Sequence, residues 1–337
     1  MKNQLIRVLL ATSLAAGCSS SESATPEGAG GAGAAGETST AGSAGDKGVA
    51  GETGAAGAAG VASAPLTGTI TLRLKEANAA TGAKAFSVAG GSVYDGPVPE
   101  AFPLAVALEA AGCQLLKPSL PFCSEACGGD AVCVADETCA AYPKPQNVGV
   151  LQVDGLVGSA ASMEPFPPSF AYQSASLPHP PCVEGDEVTL SADGFHASAS
   201  CVAPLIVTNT EFPVRREQAL ELTWEPPAEP DQTRILIKLD VSHHGGKKGE
   251  VDCDIPDTGS FEIPASLVTA LIDLGLAGYP TIVLTRTAAG AASEQPDVKF
   301  EISSGVEREV DTGIISCTDD AQCPTDQSCN MDKLVCE

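Results

Sequence analysis

The chain has 337 residues, 18 basic and 43 acidic side chains, a net charge of −25 and only 4% aromatic residues. Such a charge offers phosphates nothing to bind, which excludes nucleic acid as a partner and works against anionic lipid headgroups. Cations, basic partners or no partner at all remain, and a core so poor in aromatics has to rest on Val, Leu, Ile and Ala.

The first residues, MKNQLIRVLLATSLAAGCSS, carry Lys2 and Arg7 ahead of an apolar run from Val8 to Ala16. That run is too short to span a bilayer as a helix. With Ala15, Ala16 and Gly17 before Cys18, the segment resembles the lipobox of bacterial lipoproteins. The resemblance implies that 1–17 is a signal peptide removed before Cys18, and that the Cys18 thiol is lipidated. Ser19 after the cysteine implies the outer membrane or cell surface. An ordinary secretory signal with an incidental cysteine is the plainer alternative. Loss of Lys2 and Arg7 with the signal takes the net charge from −25 to −27. No later stretch is apolar for long enough to form a membrane-spanning helix.

Residues 18–64 read as a Gly/Ala-rich disordered tether. Glycine falls at every third position from Gly30 to Gly60, broken once at Ser39. The triplets look collagen-like, but no proline occurs among them, so a flexible tether is favoured over a triple helix. A coil of that length reaches roughly 35–40 Å.

From Pro65 the texture changes. Ile70, Leu72 and Leu74 alternate with Thr71, Arg73 and Lys75, which predicts a half-buried strand. The same period recurs at 220–225, at 235–241 and at 298–302, and GVLQVDGLV, DEVTLSA, APLIVTN and YPTIVLTRT are further strand candidates. Gly, Pro, Asn and Asp punctuate them. The expected class is mainly β: an immunoglobulin-like antiparallel β-sandwich with small disulfide-rich modules. Two helices are expected, at 99–112 and at 264–275, the second opened by Pro264 and closed by Gly275. The folded part divides into a small β-rich region at 65–122, a cysteine-rich module at 123–142, the sandwich at 145–312 and a second cysteine-rich module at 317–337.

Without Cys18, 12 cysteines remain, an even set in an exported chain, which reads as a disulfide framework. They are Cys113, Cys123, Cys127, Cys133, Cys139, Cys182, Cys201, Cys253, Cys317, Cys323, Cys329 and Cys336. CGGDAVCVADETC aligns without gaps on CTDDAQCPTDQSC, both C-x5-C-x5-C, so the two modules are related. A fourth cysteine, Cys123, precedes the first copy, and Cys336 follows the second. Cys182 and Cys201 flank one predicted hairpin and are expected to pair. Cys113 and Cys253 pair with each other or into a module. Zinc favours C-x2-C knuckles and calcium a spaced acidic loop; neither is present, so no metal and no cofactor are expected.

The lipobox, the Gly/Ala triplets, VCVADETCAAYPKPQNVG, LTWEPP with RILIKLD and DTGSFEIPASL, and the terminal C-x5-C-x5-C-x6-C together resemble a group of uncharacterised cysteine-rich surface lipoproteins of myxobacteria. The resemblance implies location and architecture, not an activity.

Asp257-Thr258-Gly259 and Asp311-Thr312-Gly313 are spelled like aspartic-protease loops, which need two facing carboxylates sharing a proton. They lie only 54 residues apart. Asp257 follows Pro256 and reads as a turn, and Asp311 stands ahead of a cysteine module. His243 and His244 with Asp252 and Asp254 suggest a metal, but adjacent histidines on a strand point to opposite faces. His243, His244, Lys247 and Lys248 read better as an exposed contact loop. No catalytic residue is identified. The expected protein is anchored to the membrane through Cys18 and binds, adheres or supports the envelope, with a protein or glycan as ligand. The rival reading is a secreted hydrolase of glycans or peptides with carboxylate acid/base chemistry.

Overall fold

A computed structural model describes residues 65–77, 82–242, 246–276, 279–315, 317–331 and 335–336. The signal peptide, Cys18, the tether, His243 and His244 lie outside the described residues.

The two-residue periods become strands. The first, β1 (Thr67–Lys75), buries Ile70, Leu72 and Leu74 and exposes Arg73 and Lys75. There follow β2 (Phe86–Tyr94), β3 (Leu104–Ala110), β4 (Cys113–Pro118), β5 (Ala131–Ala135), β6 (Thr138–Ala141), β7 (Leu151–Asp154), β8 (Ala161–Met163) and β9 (Tyr172–Gln173). The second half holds β10 (Glu187–Ala192), β11 (Phe195–Ser200), β12 (Leu220–Thr223), β13 (Arg234–Asp240), β14 (Glu250–Pro256), β15 (Ser260–Ile263), helix α1 (Ala265–Ile272), β16 (Thr281–Ala291), β17 (Val298–Glu309), β18 (Cys329–Asn330) and β19 (Val335–Cys336). The protein is mainly β, as the alternation predicts.

Nine strands form one sheet in the order β3-β4-β14-β13-β16-β17-β1-β2-β9, which combines strands from 65–122 with strands from 145–312. Its ladders are antiparallel apart from β1 on β17, which run parallel from Gly68↔Val298 to Lys75↔Gly305. Parallel neighbours need a long crossover, and here the rest of the fold is built between the two strands. The register puts all the inward residues on one continuous face: Ile302 beside Leu72 and Ala288, then Ser304 beside Leu74 and Arg286, with Ile235 beyond.

Two layers cover that face. A four-stranded sheet, β11-β10-β7-β8, packs on the β1–β2–β17 half, burying Leu151, Val153, Val188 and Leu190 against Ile70, Phe300 and Ile302. The β12–β15 pair and α1 cover the β13–β14 half, where Leu220, Leu222, Leu267 and Leu271 meet Ile235, Ile237, Val251 and Leu284. Each such buried side chain contributes about 1.5–3 kcal/mol of transfer free energy. Between the two clusters the inward row is polar: Arg286 and Ser304 stand there.

Helix α1 forms where its spacing predicts. Pro264 is the residue before its first turn, Gly275 takes φ 90° beyond its end, and Leu267, Val268, Leu271 and Ile272 face the core. The helix expected at 99–112 is corrected: this segment is β3 and a hairpin turn, with Ala111 and Gly112 at φ 51° and 79°. LAVALEA is rich in helix formers. Here its pairing with β4 prevails, because β4 is held to β14 by a ladder and by the Cys113–Cys253 bridge.

All 12 cysteines outside the signal region are bridged. Cys182 pairs with Cys201 and Cys113 with Cys253, the latter across 140 residues of chain. The two modules share one bridge, Cys127–Cys139 and its counterpart Cys317–Cys329, each spanning 12 residues. The middle cysteine then reaches in opposite directions along the sequence: Cys133 back to Cys123, Cys323 forward to Cys336.

Candidate binding face

The first Asp-Thr-Gly triplet is a buried anchor. Gly259, at φ 93°, turns the chain from β14 into β15, and this carries the Asp257 side chain inward. Asp257 is 0% exposed and Arg286 1%. Arg286 Nε donates to Asp257 Oδ2 at 2.5 Å and Nη2 to Oδ1 at 3.2 Å. The Trp224 indole donates to Oδ1 at 2.6 Å and the Thr233 hydroxyl to Oδ2 at 2.9 Å. The remaining guanidinium donors reach the carbonyls of Glu225, Ala203 and Pro204. Every donor of the fork is used, which is what lets a charge persist in an apolar surrounding.

Asp311, of the second triplet, is exposed and has an arginine of its own. Arg215 Nη2 donates to Oδ2 at 2.5 Å and the Gly313 amide to Oδ1 at 2.8 Å. The Arg215 hydrogen bond, with that amide second, holds the Asp311 carboxyl below its ordinary range. Each aspartate is thus committed to a separate arginine.

One histidine meets a hydroxyl. His179 Nδ1 lies 3.0 Å from Ser87 Oγ, a base–nucleophile distance. Ser87 is 0% exposed, on the inward face of β2, so its oxygen is closed to a substrate. His196 is on the exposed side of β11. Lys247 and Lys248, from the expected contact loop, are held at the base of the hairpin: Lys247 pairs with Glu250 at 3.2 Å, and the Lys248 amide donates to Ser242 Oγ.

The outward face over β4, β14, β13 and β16 is concave and encloses about 850 Å³. Leu236 and Val283 form its apolar floor, and the β3–β4 turn at Ala110–Cys113 stands as one wall. The register sets Glu109, Gln114, Asp252 and Lys238 in one outward row across four strands. Glu109, Asp252 and Asp254 line the concavity against one lysine, Lys238. Gln114 donates to Glu109 at 2.7 Å, and Arg234 Nε to Asp254 at 2.5 Å. Among the described residues Asp252 Oδ1 is buried without a hydrogen-bond partner. Burial, and next the charge of Glu250, push its carboxyl above the ordinary aspartate range. Lys238 Nζ sits 2.6 Å from Glu250 Oε2 in an ion pair. Burial opposes the Lys238 ammonium, but Glu250, Asp252 and Asp240 together outweigh it and raise its pKa.

Three cysteine sulfurs cluster within 4.8 Å in each module, Cys123, Cys127 and Cys139 in one and Cys317, Cys323 and Cys329 in the other. Zinc binds thiolates, and each of these sulfurs is in a disulfide.

The sequence did not mark the concavity, because its residues come from four separate segments. A signal for the anchor was present: Arg286 stands in phase with Ile282, Leu284 and Ala288, so an inward arginine required a buried acid. The chain matches no protein-family model and no curated protein.

Proposed function

We propose that the chain is a lipid-anchored protein of a bacterial cell surface, held through Cys18, that binds a macromolecular ligand in an adhesive or envelope-supporting role. The observation that carries the binding role is the open concavity of about 850 Å³ on a scaffold stapled by disulfides. A dense set of disulfides fits export to an oxidising compartment. The resemblance of the sequence motifs to cysteine-rich surface lipoproteins of myxobacteria points to the same address. Cys18→Ala should move the chain from the membrane fraction to the soluble fraction; retention in the membrane rejects the anchor. The full chain on an array of glycans and envelope proteins should give discrete hits, which Lys238→Glu and Asp252→Lys should remove.

A hydrolase is the second reading, and one observation favours it. Asp252, with a raised pKa, and Asp254 line the same concavity, and unlike carboxyls in one cleft are the pattern of an acid and a base. It ranks second because Asp254 is tied to Arg234 and because no aromatic side chain lines the concavity to stack a sugar ring. Asp252→Asn abolishing glycan or peptide hydrolysis would favour it.

A further inference from the structure

We propose that the free edge of β3 is a strand-addition site for an extended polypeptide that carries a lysine or arginine. The proposal deepens the binding role by naming the ligand class.

Strand β3 ends the nine-stranded sheet and has one neighbour, β4, among the described strands. Its outer backbone groups face no other strand, which makes it a template for an added strand. Proteins protect such edges with charged residues, above all lysine, and with prolines, bulges or short strands. The opposite edge, β9, is two residues long. Strand β3 has seven, Leu104 to Ala110, with no lysine, arginine or proline. Its five central residues are exposed, Val106 by 50%, while Ala110 packs against the core cluster that α1 joins. A bulge between Val106 and Leu108 interrupts the pairing with β4. It leaves Leu108–Ala110, beside the concavity, as the segment where a partner pairs regularly.

Apolar anchors continue from the edge. Phe102, Leu120 and Phe122 are between 68% and 75% exposed. The Ser119 amide bonded to the Pro103 carbonyl at 2.8 Å keeps the two sides of the hairpin base together. Exposed apolar residues grouped in this way mark interaction surfaces.

Charge selects the occupant. Glu109 is the one charged residue of β3. It heads the outward row that continues through Gln114 to Asp252, over a concavity with three carboxylates and one lysine. A residue laid opposite Glu109 on an added strand joins that row, and an opposite charge is favoured there. A second copy of this chain is a poor occupant: its own β3 brings another glutamate and no cation, on a chain of net charge −25.

The test uses the full chain and a labelled probe peptide of alternating valine and threonine with one central lysine, read by fluorescence anisotropy. The lysine peptide should bind, and replacing its lysine by glutamate should weaken binding about fivefold or more. Methylating alternate backbone nitrogens of the peptide should abolish binding. Val106→Lys should weaken it with an unchanged melting temperature, since the side chain is half exposed, and Glu109→Lys should reverse the preference between the two peptides. Amides of β3 should gain protection from hydrogen exchange when the peptide is bound. Absence of binding, or binding indifferent to backbone methylation and to Val106→Lys, overturns the proposal. A dimer of the unliganded chain that Val106→Lys dissociates assigns the edge to a second copy and also overturns it. Fractionation of Cys18→Ala is independent of the edge, so the anchor and the strand-addition site can fail separately.

Discussion

Asp257 and Arg286 face each other at 2.5 Å where the two hydrophobic clusters of the large sheet meet, both sealed from solvent. The pair ties the β14–β15 turn to β16, and through the carbonyls of Ala203 and Pro204 it fixes the segment that crosses from one covering layer to the other. A triplet that is catalytic in other folds has a structural role here.

Removing one partner leaves the other charged and unpaired. Asp257→Ala or Arg286→Leu should cost about 3–5 kcal/mol in urea unfolding with the disulfides intact. The double variant should fall short of the sum by about 2–3 kcal/mol. Losses under about 1 kcal/mol in the single variants would remove the pair from any role in stability.

Asp252 gives stability a pH dependence of defined sign. Its folded pKa is raised, so the folded state holds the proton more tightly than the unfolded chain does. Its contribution is therefore favourable below the ordinary aspartate value and declines as pH rises through the raised one. Asp252→Asn should raise the melting temperature at pH 7, and this gain should vanish below the ordinary aspartate pKa. A gain that persists in acid would contradict the assignment.

The Cys113–Cys253 bridge closes a loop of 140 residues and Cys182–Cys201 one of 19. Replacing both members of the first pair by serine should cost about 2–5 kcal/mol, and about 1.5 kcal/mol more than the same change in the second. Thermal melting of the two double variants ranks them. Thiol titration of the denatured, unreduced protein should find none of the 12 bridged cysteines free.

Gly290 is a point of close approach. A Cβ there would stand 1.9 Å from the carbonyl oxygen of Ser198, where β16 passes under β11. Gly290→Ala has to part the two sheets and should cost about 1–3 kcal/mol. An unchanged melting temperature would show that this contact relaxes freely.

The strands were legible because their cores alternate: Ile70–Leu72–Leu74 and Ile235–Ile237–Leu239 each declare a face. Helix α1 was legible from its ends, Pro264 and Gly275. Strand β3 was not, since Leu104–Ala110 carries helix-forming residues and becomes a strand only when β4 offers it an edge. The concavity was not legible either, because Glu109, Lys238 and Asp252 meet through sheet order, which no local pattern encodes. Cys182 and Cys201 could be paired from a hairpin; the choice of Cys123 for Cys133 and of Cys336 for Cys323 depends on how each module closes.

The parallel pairing of β1 with β17 gives the sheet a polarity. Strand β1 starts at Thr67, at the end where Val298 begins β17, and β13 runs in the same direction from Arg234, five rungs further along. At the other end Asp240 is paired with Glu250 and with Thr281, four rungs along β17 beyond the level of Lys75. Val241 and Ser242 follow Asp240 beyond that end, and the Lys248 amide donates to Ser242 Oγ. Lys247 and Lys248, rare cations on this acidic chain, therefore stand at the end of the sheet opposite the start of β1, Lys247 paired with Glu250.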